Sequence, residues 1–359
     1  MAGAIHIIDQ RADTVILLKD AGSSFAVWKE RVPPDDGKQP RKCHNDMNFN
    51  NNVATEDETL ESGIRYHVSS RHLMLASKHF MKALSEDGWK ESHRKKDGVF
   101  YVSAQDWDAR AFLILMNVFH LRNQAVPRSV SLEMLAKIAV LVDYYDCAEA
   151  MVVFVGIWVE ILKKSDPVPS TYGRKLMLWM LVSWVFRLPQ QFKHTTNIAL
   201  TQCDDKSIQT MGLPISGLIS SVIDHMRIKA IEDMISGLYK WIDTFRSAQY
   251  TCLQDNAHSF QCGAFLLGAL SKEMDYHGLS SPRPEVPFDG LSVQGVLKKV
   301  LEMQSPTWYT SREPKYYDQK PHSCTLASIV NPMAENIVAL IGGLDISYFL
   351  SKGDVVGLW

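Results

Sequence analysis

The chain has 359 residues, of which 46% are hydrophobic and 22% charged, with a formal net charge of -2. That length exceeds one compact core and predicts two or three domains. A charge this close to neutrality excludes an electrostatic case for nucleic acid or for an anionic membrane as partner. The longest apolar runs, 151–159 and 176–186, fall short of the roughly 20 residues that span a bilayer. The first twenty residues lack a basic stretch followed by a long apolar core, so no secretory leader is expected. Six widely spaced cysteines read as reduced thiols of an intracellular protein, in cytoplasm or nucleus.

Asp13 heads a β-branched run, Thr14–Leu18, that predicts a strand. Phe25–Trp28 predicts a second, paired with the first as a hairpin. Residues 33–65 carry Pro33-Pro34, a cluster of asparagines and acidic residues from Glu56 to Glu61, and few apolar groups. Such a stretch cannot offset the entropy of ordering it, and it reads as a disordered insertion. Tyr66–Val68 is extended, after which the period changes. Leu73, Ala76, Phe80, Ala83 and Leu84 form a helical stripe, with Ser69 and Ser70 as caps and Ser77 restarting a second short helix.

Gly98–Val102 predicts another strand, and Asp106 or Asp108 starts a helix bearing Phe112, Leu115, Val118 and Phe119. Ser131 caps the next, with Glu133 in its first turn. A small sheet covered by a helical cluster, an α+β domain, is thus expected over 1–150. From Ala148 the signal is almost purely helical. Segments 148–162, 172–186, 216–236 and 234–245 are expected as helices, broken by Pro167, Pro169, Pro189 and Pro214. This gives a helical extension over 151–248 and a C-terminal helical region over 249–359, with helices at 262–274 and 291–303.

The head ADTVILL, the run VSSRHLMLASKHFMKAL with its Leu73, Ser77 and Phe80 spacing, and the later helices AFLILMNVFHLRN and SLEMLAKIAVLVDYYDC resemble the BTB/POZ domain. Beyond it, LVSWVFRLPQQFKHTTNIAL, PRPEVPFDGLS and HSC resemble the extended fungal members of that family. Ser69 stands where the family often has a histidine. The resemblance implies a non-enzymatic protein-interaction module, or scaffold, that forms a homodimer through the N-terminal strand and first helices. Ile5 and Ile7 are then the partner-binding candidates. It also implies, as an alternative, an adaptor docking a cullin, for which Leu84-Ser85-Glu86 offers the apolar-x-acid triplet.

Chemistry-bearing residues concentrate in the last third. Cys252 and Cys262 flank His258, and His322 and Cys324 follow much later. Zinc takes four nitrogen or sulfur ligands, and Cys252, Cys262, His322 and Cys324 can supply them from two distant segments. No C-x2-C pair marks a finger, so the spacing also admits buried cysteines beside surface histidines. A bound zinc would be structural if all four ligands are protein, whereas a metal-dependent enzyme would need an open position. No G-x-S-x-G elbow, P-loop or dinucleotide fingerprint is present.

Overall fold

The computed structural model describes residues 4–30, 63–85, 94–309 and 321–350. Most of the expected insertion at 33–65, and Glu86, lie outside the described residues. The architecture is α+β, with one small mixed sheet and a large helical part. Strands β1 (Ile5–Ile7), β2 (Thr14–Lys19), β3 (Ile64–Val68) and β4 (Phe100–Gln105) lie in the order β1-β3-β2-β4. β2 pairs antiparallel with β3, with Ile16 opposite Tyr66, and parallel with β4, with Ile16 opposite Val102. Its Thr14, Ile16 and Leu18 alternate into the core, as the period of a half-buried strand requires.

The expected hairpin between Asp13–Leu18 and Phe25–Trp28 is not formed. Arg174 takes the carbonyls that a ladder would need, with Nε on Ala26 O at 2.8 Å and Nη2 on Phe25 O at 3.2 Å. Ala26 itself sits at a φ of 48°, outside the strand region. The extended segment before the first helix is longer than expected, because Ile64 and Arg65 join the ladder to β1 and β2.

Two short helices, α1 (Ser70–Ala76) and α2 (Lys78–Leu84), follow β3 without a loop. Ser77 breaks them apart. Its hydroxyl accepts from Phe80 N at 3.1 Å and donates to the carbonyl of Tyr145 at 2.5 Å. The start of α1 departs from expectation, since the Ser69 side chain makes no cap. Asp13 supplies it instead, accepting from Ser70 N at 2.7 Å and from Ser70 Oγ at 2.6 Å. Leu73, Phe80 and Leu84 are all buried. Helices α3 (Ala109–Phe119), capped by Asp108, and α4 (Leu132–Tyr145), capped by Ser131, close this part.

The helical remainder comprises α5 (Ala148–Ser165), α6 (Arg174–Val185), α7 (Pro189–Gln202), α8 (Gly217–Arg246), α9 (Ser259–Tyr276), α10 (Val293–Leu301) and α11 (Leu326–Ala339). Two readings change. Pro189 opens α7 at its first turn, where a missing N–H is no loss, and so does not merely break a helix. The segments 216–236 and 234–245 form one helix of 30 residues. A single buried apolar cluster runs from Ile8 to Ile346. Within it Arg227 of α8 is fully buried and donates to the carbonyls of Lys206 (2.8 Å), Pro287 (3.4 Å) and Leu291 (3.5 Å), holding the loops before α8 and α10. α11 lies tightly across α8, because a Cβ on Gly237 would meet Met333 Sδ at 2.7 Å. That crossing fixes where the residues just before α11 must lie. No helix among the described residues is long and apolar enough to cross a membrane.

Candidate metal centre

The loop leaving α8, the first turn of α9 and the segment entering α11 meet at one point. Cys252 lies in the loop, Cys262 in the first turn of α9, and His322 and Cys324 just before α11. Their four ligand atoms all lie within 4.8 Å of one another. Cys252 Sγ is 3.4 Å from His322 Nε2 and 3.6 Å from Cys324 Sγ. Bonds of about 2.3 Å to sulfur and about 2.0 Å to nitrogen in a tetrahedron imply S···S edges of about 3.8 Å and S···N edges of about 3.5 Å. The donor set and its spacing therefore fit one tetrahedral ion. Cys252 and Cys262 are buried, while His322 and Cys324 are half-buried.

Local sequence explains how each ligand is held. Ser259 Oγ accepts from Cys252 N at 3.0 Å and donates to Asn256 O at 2.8 Å, closing the loop onto the start of α9. Asp255 caps the turn between them, accepting from Ala257 N at 3.1 Å. Gly263 leaves room for the loop, since a Cβ there would meet Tyr250 Cδ1 at 2.9 Å. Tyr250 OH then stands 3.5 Å from Cys262 Sγ. On the other side, His322 N donates to Trp308 O at 2.9 Å, and the two rings pack with centroids 4.3 Å apart. Trp308 is in turn stacked on Phe265 of α9. Thr325 and Ser328 form a reciprocal capping box that starts α11 immediately after Cys324.

The thiols are unequal. Burial opposes ionisation of Cys252, but the backbone N–H groups of Gln254 and Asp255 outweigh it and bring its pKa below the usual thiol value. Burial raises Cys262. It also raises Cys324, which with the neighbouring thiols beside it is pushed up to about 12. A first thiolate is thus favoured, while burial and the neighbouring thiols oppose a second and a third.

His258, which lies between the two cysteines in sequence, is not part of the cluster. Its Nδ1 pairs with Asp255 Oδ2 at 2.7 Å. Tyr250 and Trp308 were not legible as site residues, because their only sequence signal is aromatic character. The N-terminal candidates are dispersed. Ile5 is 55% and Ile7 62% exposed on β1, whereas Leu84 is buried in the core and presents no apolar group to a docking partner. β1 pairs in parallel with β3 of its own chain, and Arg122 Nη1 donates to the Ile7 carbonyl at 3.0 Å. That guanidinium blunts an edge that would otherwise invite another strand.

Cys324 also forms part of the wall of a cleft of about 700 Å3, together with Trp241, Phe245, Tyr250, Leu253 and Ile329. Among the described residues that line it there is no carboxylate, imidazole, ammonium or guanidinium.

The site defines the chain as one that could hold a single metal ion in a Cys3His centre. No family model matches the chain, and neither the curated proteins nor the solved structures provide a match.

Proposed function

We propose that this chain is a non-enzymatic protein-interaction module whose C-terminal part is stapled by a structural zinc ion. The observation that carries the reading is the convergence of three thiols and one imidazole, all within 4.8 Å, from segments separated by up to 72 residues. Four protein ligands complete a tetrahedral shell and leave no position for water or substrate. The adjoining cleft weighs the same way, because a hydrolytic metal site needs a general base and its described walls hold no carboxylate or imidazole.

The N-terminal part is proposed to be a BTB/POZ-like unit. Support comes from the order of strand, two short helices, strand and two helices, and from Leu73, Ser77 and Phe80, all buried where the resemblance expects core. Its interaction surface is proposed at the exposed side chains of Ile5 and Ile7, which lie on one face of β1 beside Arg65 and His67 of β3.

Elemental analysis of the natively purified chain tests the staple. One zinc per chain is expected, lost in Cys252→Ala and retained in His258→Ala. Metal-free protein that keeps the same thermal transition on adding zinc would contradict the reading. Affinity purification from the native cell tests the interaction surface. Partners are expected with the unaltered chain and not with Ile5→Asp/Ile7→Asp. An unchanged partner set would remove β1 from the account.

A further inference from the structure

The outer face of α5 carries an apolar stripe that no other element among the described residues covers. The helix turns Met151, Val155, Trp158, Val159 and Leu162 into the core. On its other side Val153 is 70%, Ile157 40% and Ile161 38% exposed. These three recur every four residues and therefore form one stripe. They line a groove of about 960 Å3 whose far wall is Leu188 and the start of α7, Pro189–Gln191. Scattered exposed apolar residues need no explanation, but a contiguous stripe in a groove marks an interaction surface.

The pattern along α5 identifies the occupant. If a second α5 is laid antiparallel on the first, with a two-fold axis between residues 156 and 157, the facing positions sum to 313. Glu149 then meets Lys164 at both ends of the contact, and Val152 meets Ile161. Ile157 meets Gly156, where the missing side chain lets it seat. Val153 faces Glu160, whose carboxylate already pairs with Lys163 at 2.6 Å along the rim. A parallel arrangement would stack Glu149 on Glu149 and Lys164 on Lys164. The charges thus select the antiparallel pairing, and this is the self-complementarity that a two-fold interface requires.

We infer that the α5 face is a homodimer interface, formed by two copies of α5 packed antiparallel about Gly156 and Ile157. From Glu149 to Lys164 the helix runs about 22 Å at about 1.5 Å per residue. The groove beside it, extending to Gln191, widens the contact toward the roughly 800 Å2 per partner of a specific interface. The inference stands apart from the zinc staple and from the β1 surface.

Sedimentation equilibrium of the full, metal-replete chain tests it. The unaltered protein is expected at twice the chain mass of 40.6 kDa, dissociating on dilution. Ile157→Glu is expected to be monomeric. Lys164→Glu should weaken the dimer about tenfold, since each reversal counts twice across the axis. Glu149→Lys/Lys164→Glu should restore it, and Ile5→Lys should leave it unchanged. A monomer at every concentration, a dimer that survives Ile157→Glu, or a double reversal that fails to recover the single one would each overturn the inference. The double reversal guards against misfolding, because two exposed charges exchanged in place cannot repair a disrupted fold.

Discussion

Two polar clusters tie distant parts of this chain together, and their chemistry is opposite. At the N-terminal one a carboxylate is surrounded by donors. Asp13 binds both the N–H and the hydroxyl of Ser70, the hydroxyl of Thr14 at 3.2 Å and Arg94 at 3.3 Å, joining β2, α1 and the loop before β4. Burial alone would raise its pKa, but these donors hold it below the usual carboxylate range. Around Cys252 the balance is reversed. Three thiols and an imidazole face one another, and two of the thiols are pushed up in pKa. The first cluster is complete as it stands. The second is a donor set that could hold a cation.

The largest separation of the two should come from chelation. A structural zinc contributes on the order of 10 kcal/mol to a small domain. Removing it should sharply raise amide exchange around Cys252, Cys262 and Cys324, as read by hydrogen-exchange mass spectrometry. Exchange in β2, β3 and α1 should stay unchanged. Loss of protection in both regions at once would mean that the two clusters are not independent. Next in size is Asp13→Ala, expected to lower stability by about 3 kcal/mol through orphaned donors at the start of α1. Denaturant titration reads this, and zinc content should be unaffected.

The smallest effect is a pH dependence confined to the N-terminal cluster's neighbourhood. His120 accepts from Ser69 N at 2.9 Å through Nε2, and its Nδ1 lies 2.8 Å from Met116 O, an arrangement that needs the neutral ring. Burial depresses its pKa below the ordinary histidine value. The unfolded chain then binds the proton more readily, so stability is full above about pH 6.5 and declines as the pH falls toward the folded-state value. Unfolding midpoints of the parent and His120→Gln should converge as the pH is lowered through that window. Parallel curves would remove His120 as the source.

The same contrast explains what could be read from residues alone. The α+β order was legible at β2, α2, α3 and α4, where apolar period and capping residues agree, and Ser77 and Ser131 cap where expected, whereas at α1 only the period was legible and the cap comes from Asp13. It failed at Phe25–Trp28, because a remote arginine, Arg174, claims the carbonyls. It failed at Pro189, whose meaning depends on whether a helix follows. The four metal-ligand candidates were legible because the chain has only six cysteines, three of them fall in the last third beside histidines, and zinc chemistry demands such ligands. Their supports were not, since nothing local to Gly237, Gly263 or Trp308 announces the close approach of Met333, Tyr250 and His322 respectively.

The most direct test of the central claim is X-ray absorption spectroscopy at the zinc edge on the natively purified chain. The account predicts a first shell of three sulfurs at about 2.3 Å and one nitrogen at about 2.0 Å, with no oxygen ligand. A shell containing water, or fewer than three sulfurs, would contradict a closed structural centre at Cys252, Cys262, His322 and Cys324.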